Sequence, residues 1–136
     1  MPTQVSWYDP TQTIIHKQIS GEWEINEWRQ AAQNASCMAA EVNHPVSVIV
    51  EYAPDVDMNR IPDGLMRFLH QVPKLPIVTE TNINRVIVVG LNGKLALADR
   101  IFQRLHRPKK GVRVPTFDDA LAIAQSGKES SDQPSR

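Results

Sequence analysis

The pentapeptide Gly90-Leu91-Asn92-Gly93-Lys94 lies between an apolar run and a helical pattern, where phosphate loops are found. A P-loop needs four residues between its glycines and a Ser or Thr after the lysine; here two intervene and Leu95 follows. The spacing instead describes a tight turn that needs positive φ at Asn92 or Gly93. The free N–H groups of the helix start, with Lys94 beside them, would still attract an anion weakly. His16, His44, His70 and His106 are suited to metal binding or proton transfer, but they are scattered without ligand spacing and without a nearby cysteine. Asp55 and Asp57, with Asp63 following, resemble a fragment of a calcium loop that lacks the central Gly and distal Glu. The single cysteine, Cys37, sits in Ser36-Cys37-Met38-Ala39-Ala40, which reads as a buried mid-helix position rather than an activated thiol. These residues imply no metal and no cofactor, and they supply no catalytic pair.

The chain around them has 136 residues, enough for one domain with its own core. Apolar residues at 41% and charged residues at 22% are ordinary for a globular protein. Fifteen basic side chains balance fifteen acidic ones, which argues against a dedicated nucleic-acid binder. One basic cluster breaks the balance: Arg100, Arg104, His106, Arg107, Lys109, Lys110 and Arg113. Cations near a helix C-terminus are favoured by its dipole, and 103–113 holds no aromatic residue for stacking bases. The N-terminus lacks a signal-peptide pattern, and no run is long enough to span a bilayer, so a cytoplasmic location is expected. The segment 127–136 is rich in Ser and charge and is expected to be a disordered tail after a single domain over 1–126.

Val5 to Tyr8 predicts a short strand, and Asp9-Pro10-Thr11-Gln12 a turn. Thr13 to Ser20 alternates, with Ile15, Lys17 and Ile19 on one face and Ile14, His16 and Gln18 on the other. From Glu24 a helical stripe runs through Ile25, Trp28, Ala32, Ala35, Met38, Ala39 and Val42, ending at Asn43-His44-Pro45. Val46 to Ala53 is rich in β-branched residues and mostly apolar on both faces, as in a buried strand. Pro62 to Val72 predicts a helix, Arg85 to Leu91 a central strand, and Lys94 to His106 a helix. Val112 to Val114 is a short strand, and Thr116-Phe117-Asp118-Asp119 resembles a capping box for a last helix. Trp7, Trp23, Trp28 and Tyr8 are expected to be packing residues.

The order ββαβαβαβα is that of an α/β domain: a mostly parallel five-stranded sheet, an antiparallel edge strand from the N-terminal hairpin, and four helices mainly on one face. It resembles the anti-sigma-factor-antagonist (STAS) fold and the related CRAL-TRIO-like lipid-binding group over residues 5 to 126. The parts that carry the resemblance are the hairpin with Gly21-Glu22-Trp23, the strand Val48 to Tyr52, the strand Val86 to Leu91 with Asn92-Gly93, and Val114-Pro115-Thr116-Phe117-Asp118-Asp119-Ala120-Leu121. In the antagonists it implies a phosphorylatable Ser or Thr after the third strand. The segment Ala53 to Gly64 contains neither, so a non-catalytic regulatory or partner-binding role is the part of the resemblance that carries over.

In open α/β sheets, ligands gather beyond the carboxyl ends of the strands. That rim would collect Asp55, Asp57, Asn59, Arg60, Asp63, Asn92, Lys94 and Thr116, a mixture of charges suited to docking a protein partner. If all helices share one face, the bare face needs cover. Self-association as a dimer, or a lipid or small apolar ligand, would supply it.

Overall fold

The computed structural model describes residues 3–21, 23–57, 82–106 and 111–130. The chain opens with a hairpin of β1 (Thr3–Trp7) and β2 (Ile14–Ile19), paired antiparallel with Val5 opposite Lys17. The Asp9 carboxylate organises its turn. It accepts the backbone N–H groups of Thr13 and Ile14, both at 3.0 Å, and the hydroxyls of Thr11 and Thr13. Partial burial acts to raise the Asp9 pKa, but these four hydrogen bonds outweigh it and bring it from 3.8 down to about 2. Hydrogen bonds that favour the carboxylate contribute stability above pH 3.8, and this is lost as pH falls toward 2. Asp9→Ala should therefore cost roughly 1–2 kcal/mol after solvent screening. It should also flatten the acid limb of a urea-melt series in that window.

The strands β3 (Val46–Tyr52), β4 (Ile83–Val89) and β5 (Gly111–Val114) extend the sheet in parallel from β2, in the order β1-β2-β3-β4-β5. β3 is central, and Val46 through Val50 are all buried, as its two-faced apolar sequence predicts. Three helices are described: α1 (Ile25–Ala40), α2 (Gly93–His106) and α3 (Phe117–Ser130). The expected helix over 62–72, together with Asn59, Arg60 and Asp63, falls outside the described residues.

The helices divide between the two faces. Ala32, Ala35 and Ala39 of α1 and Leu95 of α2 pack with Ile15, Ile19, Val46, Val48, Val50 and Ile83. Ala120 and Ala124 of α3 pack with Ile14, Ile49, Ile87 and Val89 on the opposite face. The crossover helices α1 and α2 thus share a side, as right-handed connections between sequential parallel strands require. The expectation that the other side is bare is corrected, because the terminal helix α3 is no crossover and folds back over β3, β4 and β5. The ground for a second copy or an apolar ligand on that face is thereby removed. Beyond α3 the face turns polar, with Gln4 and Ser6 of β1 exposed.

A bulge in β4 fixes which of its residues face which helix. Val46 pairs with Ile83 but Ser47 pairs with Arg85, so Asn84 is the extra residue. One added residue reverses the alternation. Ile83 thus packs on the α1 side, whereas Ile87 and Val89 pack on the α3 side. Side chains tie the layers together: Asn82 Nδ2 donates to the carbonyls of Ala39 (3.0 Å) and Val42 (2.6 Å), and Arg85 donates to the carbonyl of Ile123 at 3.1 Å. α3 runs to Ser130, so the helix continues four residues past the expected boundary at 126. Cys37 is exposed rather than buried, because the inward stripe of α1 runs through Ala31, Ala32, Ala35, Ser36 and Ala39.

Candidate functional site

The parallel strands end together, and the chain leaves them through turns that shape an open cleft of about 460 Å3. Glu51, Tyr52, Ala53, Pro54 and Val56 line it from the end of β3, with Val89, Gly90 and Asn92 from β4 and Thr116 and Phe117 from the start of α3. Gly90 holds φ +80, and a Cβ there would lie 3.1 Å from the Tyr52 carbonyl oxygen, so the close approach of β3 and β4 at the rim needs glycine. Gly93 carries φ 61, the left-handed residue expected of the Asn92-Gly93 turn. Thr116 Oγ1 accepts the Asp119 N–H at 3.1 Å, so Thr116 caps α3 as the sequence predicts.

Of the rim residues expected from sequence, Asn92 and Thr116 line the cleft. Asp55, Asp57 and Lys94 are exposed and stand near it in the chain, but they do not line it. Glu51, Tyr52 and Phe117 complete it. Glu51 is held by His16, whose Nε2 lies 2.8 Å from Glu51 Oε1, and the His16 ring packs at 4.9 Å from Phe117 and 6.5 Å from Tyr8. The carboxylate is therefore positioned as an acceptor at the cleft wall. Along this edge the described charged residues are Glu51, Asp55, Asp57 and Lys94, while Arg60 and Asp63 lie outside the described residues. Asp118 and Asp119 add acid in the first turn of α3, where the helix dipole favours it.

Behind the cleft lies an unusual core residue. Lys17 follows Ile15 and precedes Ile19 on the α1 face and is 0% exposed. Its Nζ makes no hydrogen bond and lies 3.3 Å from the centroid of the Trp28 ring. Burial pushes its amine well below the ordinary 10.5. The Trp28 indole donates a hydrogen bond to the Tyr52 hydroxyl. Burial raises the Tyr52 phenol to about 12, with Asp99 adding to the rise and the Trp28 bond and Arg113 opposing it. Arg113, from the basic cluster, pairs with Asp99 through two contacts at 2.8 and 2.6 Å. Residues 107–110 of that cluster lie outside the described residues.

A second groove, of about 610 Å3, separates β1 from α1, with Thr3, Val5, Ala31, Met38 and the exposed Cys37 along it. Among the described residues no three His, Cys, Asp or Glu side chains come together to hold a metal ion, and no described helix is long and apolar enough to cross a membrane. No family model, curated protein or solved structure matches the chain.

Proposed function

We propose that this protein is a non-catalytic regulatory module that docks a basic segment of a partner protein in the cleft at the carboxyl ends of β3, β4 and β5. The observation that carries this reading is the chemistry of the cleft. Glu51 is fixed in place by His16, and Asn92, Thr116 and the Gly90 backbone offer neutral polar groups beside it. Tyr52, Val56, Val89 and Phe117 supply apolar contact area. Such a mixture suits a short peptide carrying Lys or Arg with one or two apolar neighbours. The antagonist-like kinship belongs to the same proposal, supported by the opening hairpin followed by parallel strands. A phosphoserine switch is no part of it, since Ala53 to Gly64 offers no hydroxyl.

Selection from a random peptide library tests this directly. Peptides enriched on the wild-type protein should be rich in Lys and Arg and should weaken as salt rises. Asn92→Arg should reduce their affinity at least tenfold without changing the melting temperature, because Asn92 is exposed and its side chain makes one long contact, 3.4 Å to the Gly90 carbonyl. Selected peptides that bind Asn92→Arg as tightly as wild type would refute docking in the cleft.

A further inference from the structure

We propose that the outer edge of β1 and the groove beside it form a second docking site, which takes an extended, uncharged segment of a partner protein as a further strand of the sheet. This site goes beyond the cleft at the strand ends and does not depend on it.

The backbone sets the pattern. In β2 the carbonyls of Thr13 and Ile19 accept the N–H groups of Ser47 and Ala53, so the odd-numbered residues of that strand bond toward β3. The even-numbered ones bond toward β1, where the Tyr8 N–H donates to the Ile14 carbonyl at 2.8 Å. The register pairs Ser6 with His16 and Gln4 with Gln18, so in β1 the even-numbered residues use their backbone groups on β2. The N–H and C=O groups of Thr3, Val5 and Trp7 therefore point outward, and among the described residues no strand pairs with them. The side chains of the same three residues lie on the α1 side, where Val5 and Trp7 pack against the core beneath that helix. A strand added at this edge would set its residues opposite Thr3, Val5 and Trp7 on that same side. There the groove of about 610 Å3 runs between β1 and α1. Its walls match in length: five residues of strand and the twelve from Glu27 to Met38 each span about 17 Å.

Charge selects the occupant. Val5, Ala31 and Met38 give the groove apolar surface, and Thr3, Gln30 and Asn34 give it neutral polar groups. Its one carboxylate, on Glu27, is already occupied with the Glu24 N–H at 3.1 Å in the cap of α1. A neutral groove discriminates against Lys, Arg, Asp and Glu, whose desolvation nothing there would offset. Thr3 Oγ1 is buried without a hydrogen-bond partner, a group that an incoming polar side chain would satisfy. The opposite edge of the sheet is guarded: β5 has four residues and carries Arg113, held by Asp99. β1 has no charge, no proline and no bulge to deter pairing. A second copy fits less well, because a two-fold axis at the β1 edge sets groove against groove and fills neither. A lone strand, with no helix of its own on that side, drops alternate side chains into the groove.

The test uses the whole chain and a capped heptapeptide of alternating Val and Thr, followed by amide NMR and hydrogen exchange. Strand addition predicts a pattern that no other mode of binding gives. Exchange at the Thr3, Val5 and Trp7 amides should slow about tenfold or more on binding, while Gln4 and Ser6, already bonded to β2, change little. Val5→Pro removes an outward N–H and leaves the β1–β2 bonds intact, so it should weaken binding about tenfold or more. Asn34→Arg, at an exposed position, should do the same by placing a charge on the groove wall, and it remains informative should Val5→Pro fail to fold. A peptide with Lys in place of Val should bind about tenfold more weakly or less tightly still. The site is overturned if the Val–Thr peptide does not bind, if it leaves the three odd-numbered amides unprotected, or if the Lys peptide binds there equally well. Alternate protection that grows with protein concentration in the absence of peptide, together with a dimer in sedimentation, would assign the edge to a second copy and overturn the proposal as well. None of these results bears on Glu51 or Asn92, so the cleft stands or falls separately.

Discussion

Replacing Lys17 with methionine should raise the stability of the protein near neutral pH by about 2 kcal/mol or more. Two effects compete at this residue. The Trp28 face at 3.3 Å attracts an ammonium, which is worth about 2 kcal/mol when desolvated. Full burial without a hydrogen bond penalises that ammonium by several kcal/mol. Burial wins, and the amine is held well below 10.5. The unfolded chain then binds a proton that the folded chain does not, between the lowered folded pKa and 10.5. Folding stability must rise with pH across that window and level off above it. Methionine fills a similar volume with no amine, so the variant gains most at neutral pH and little above 10.5, and the slope disappears. Tyr52 works in the opposite sense further up. Its folded pKa of about 12 exceeds the ordinary 10.0, so its stabilisation is complete below pH 10 and is lost as pH approaches 12. Urea melts of wild type and Lys17→Met at pH 7, 9 and 10 separate these terms. An unchanged slope, or a less stable variant, would refute the burial of an unpaired amine.

The second large effect concerns the face covered by α3. Ile49 is 0% exposed at the centre of β3, in the cluster that α3 closes with Ala120 and Ala124. Ile49→Ala should cost about 2–5 kcal/mol, because the surrounding strands and the short alanine side chains of α3 collapse poorly into the space left. The melting temperature should fall by roughly 10 °C or more, whereas Ile49→Val should cost about 0.5–1.5 kcal/mol. A face left to solvent or to a reversible partner would tolerate Ile49→Ala with little loss.

Much of this architecture is legible in the residues. The mostly apolar run from Val46 to Val50 announces a central strand, and Asn92-Gly93 announces the turn after β4. The alternation of β2 places Lys17 with Ile15 and Ile19, but a two-residue period does not say which face meets a helix. The position of α3 is hidden for a related reason. Handedness fixes the side of helices that connect parallel strands, while a terminal helix is free to cover whichever face remains apolar. The β4 bulge is equally silent, since one unpaired Asn84 is visible only once Ser47 and Arg85 are paired.

The candidate site divides in the same way. Asn92 and Thr116 are recoverable because strand ends in α/β sheets point to ligands. Glu51 and Tyr52 could have been found by the same rule, as the last residues of a parallel strand. The bond between His16 and Glu51 could not, because it joins positions 35 residues apart and depends on the register that sets Gln18 opposite Glu51. Cys37 misled because its neighbours are small and apolar, while its own helix angle turns it outward.

The most direct measurement is an amide NMR titration of the wild-type chain with a selected basic peptide. Docking at the rim predicts that the largest shifts fall on Glu51, Tyr52, Gly90, Asn92, Thr116 and Phe117. Shifts concentrated instead on Thr3, Val5, Ala31 and Met38, in the groove between β1 and α1, would contradict it.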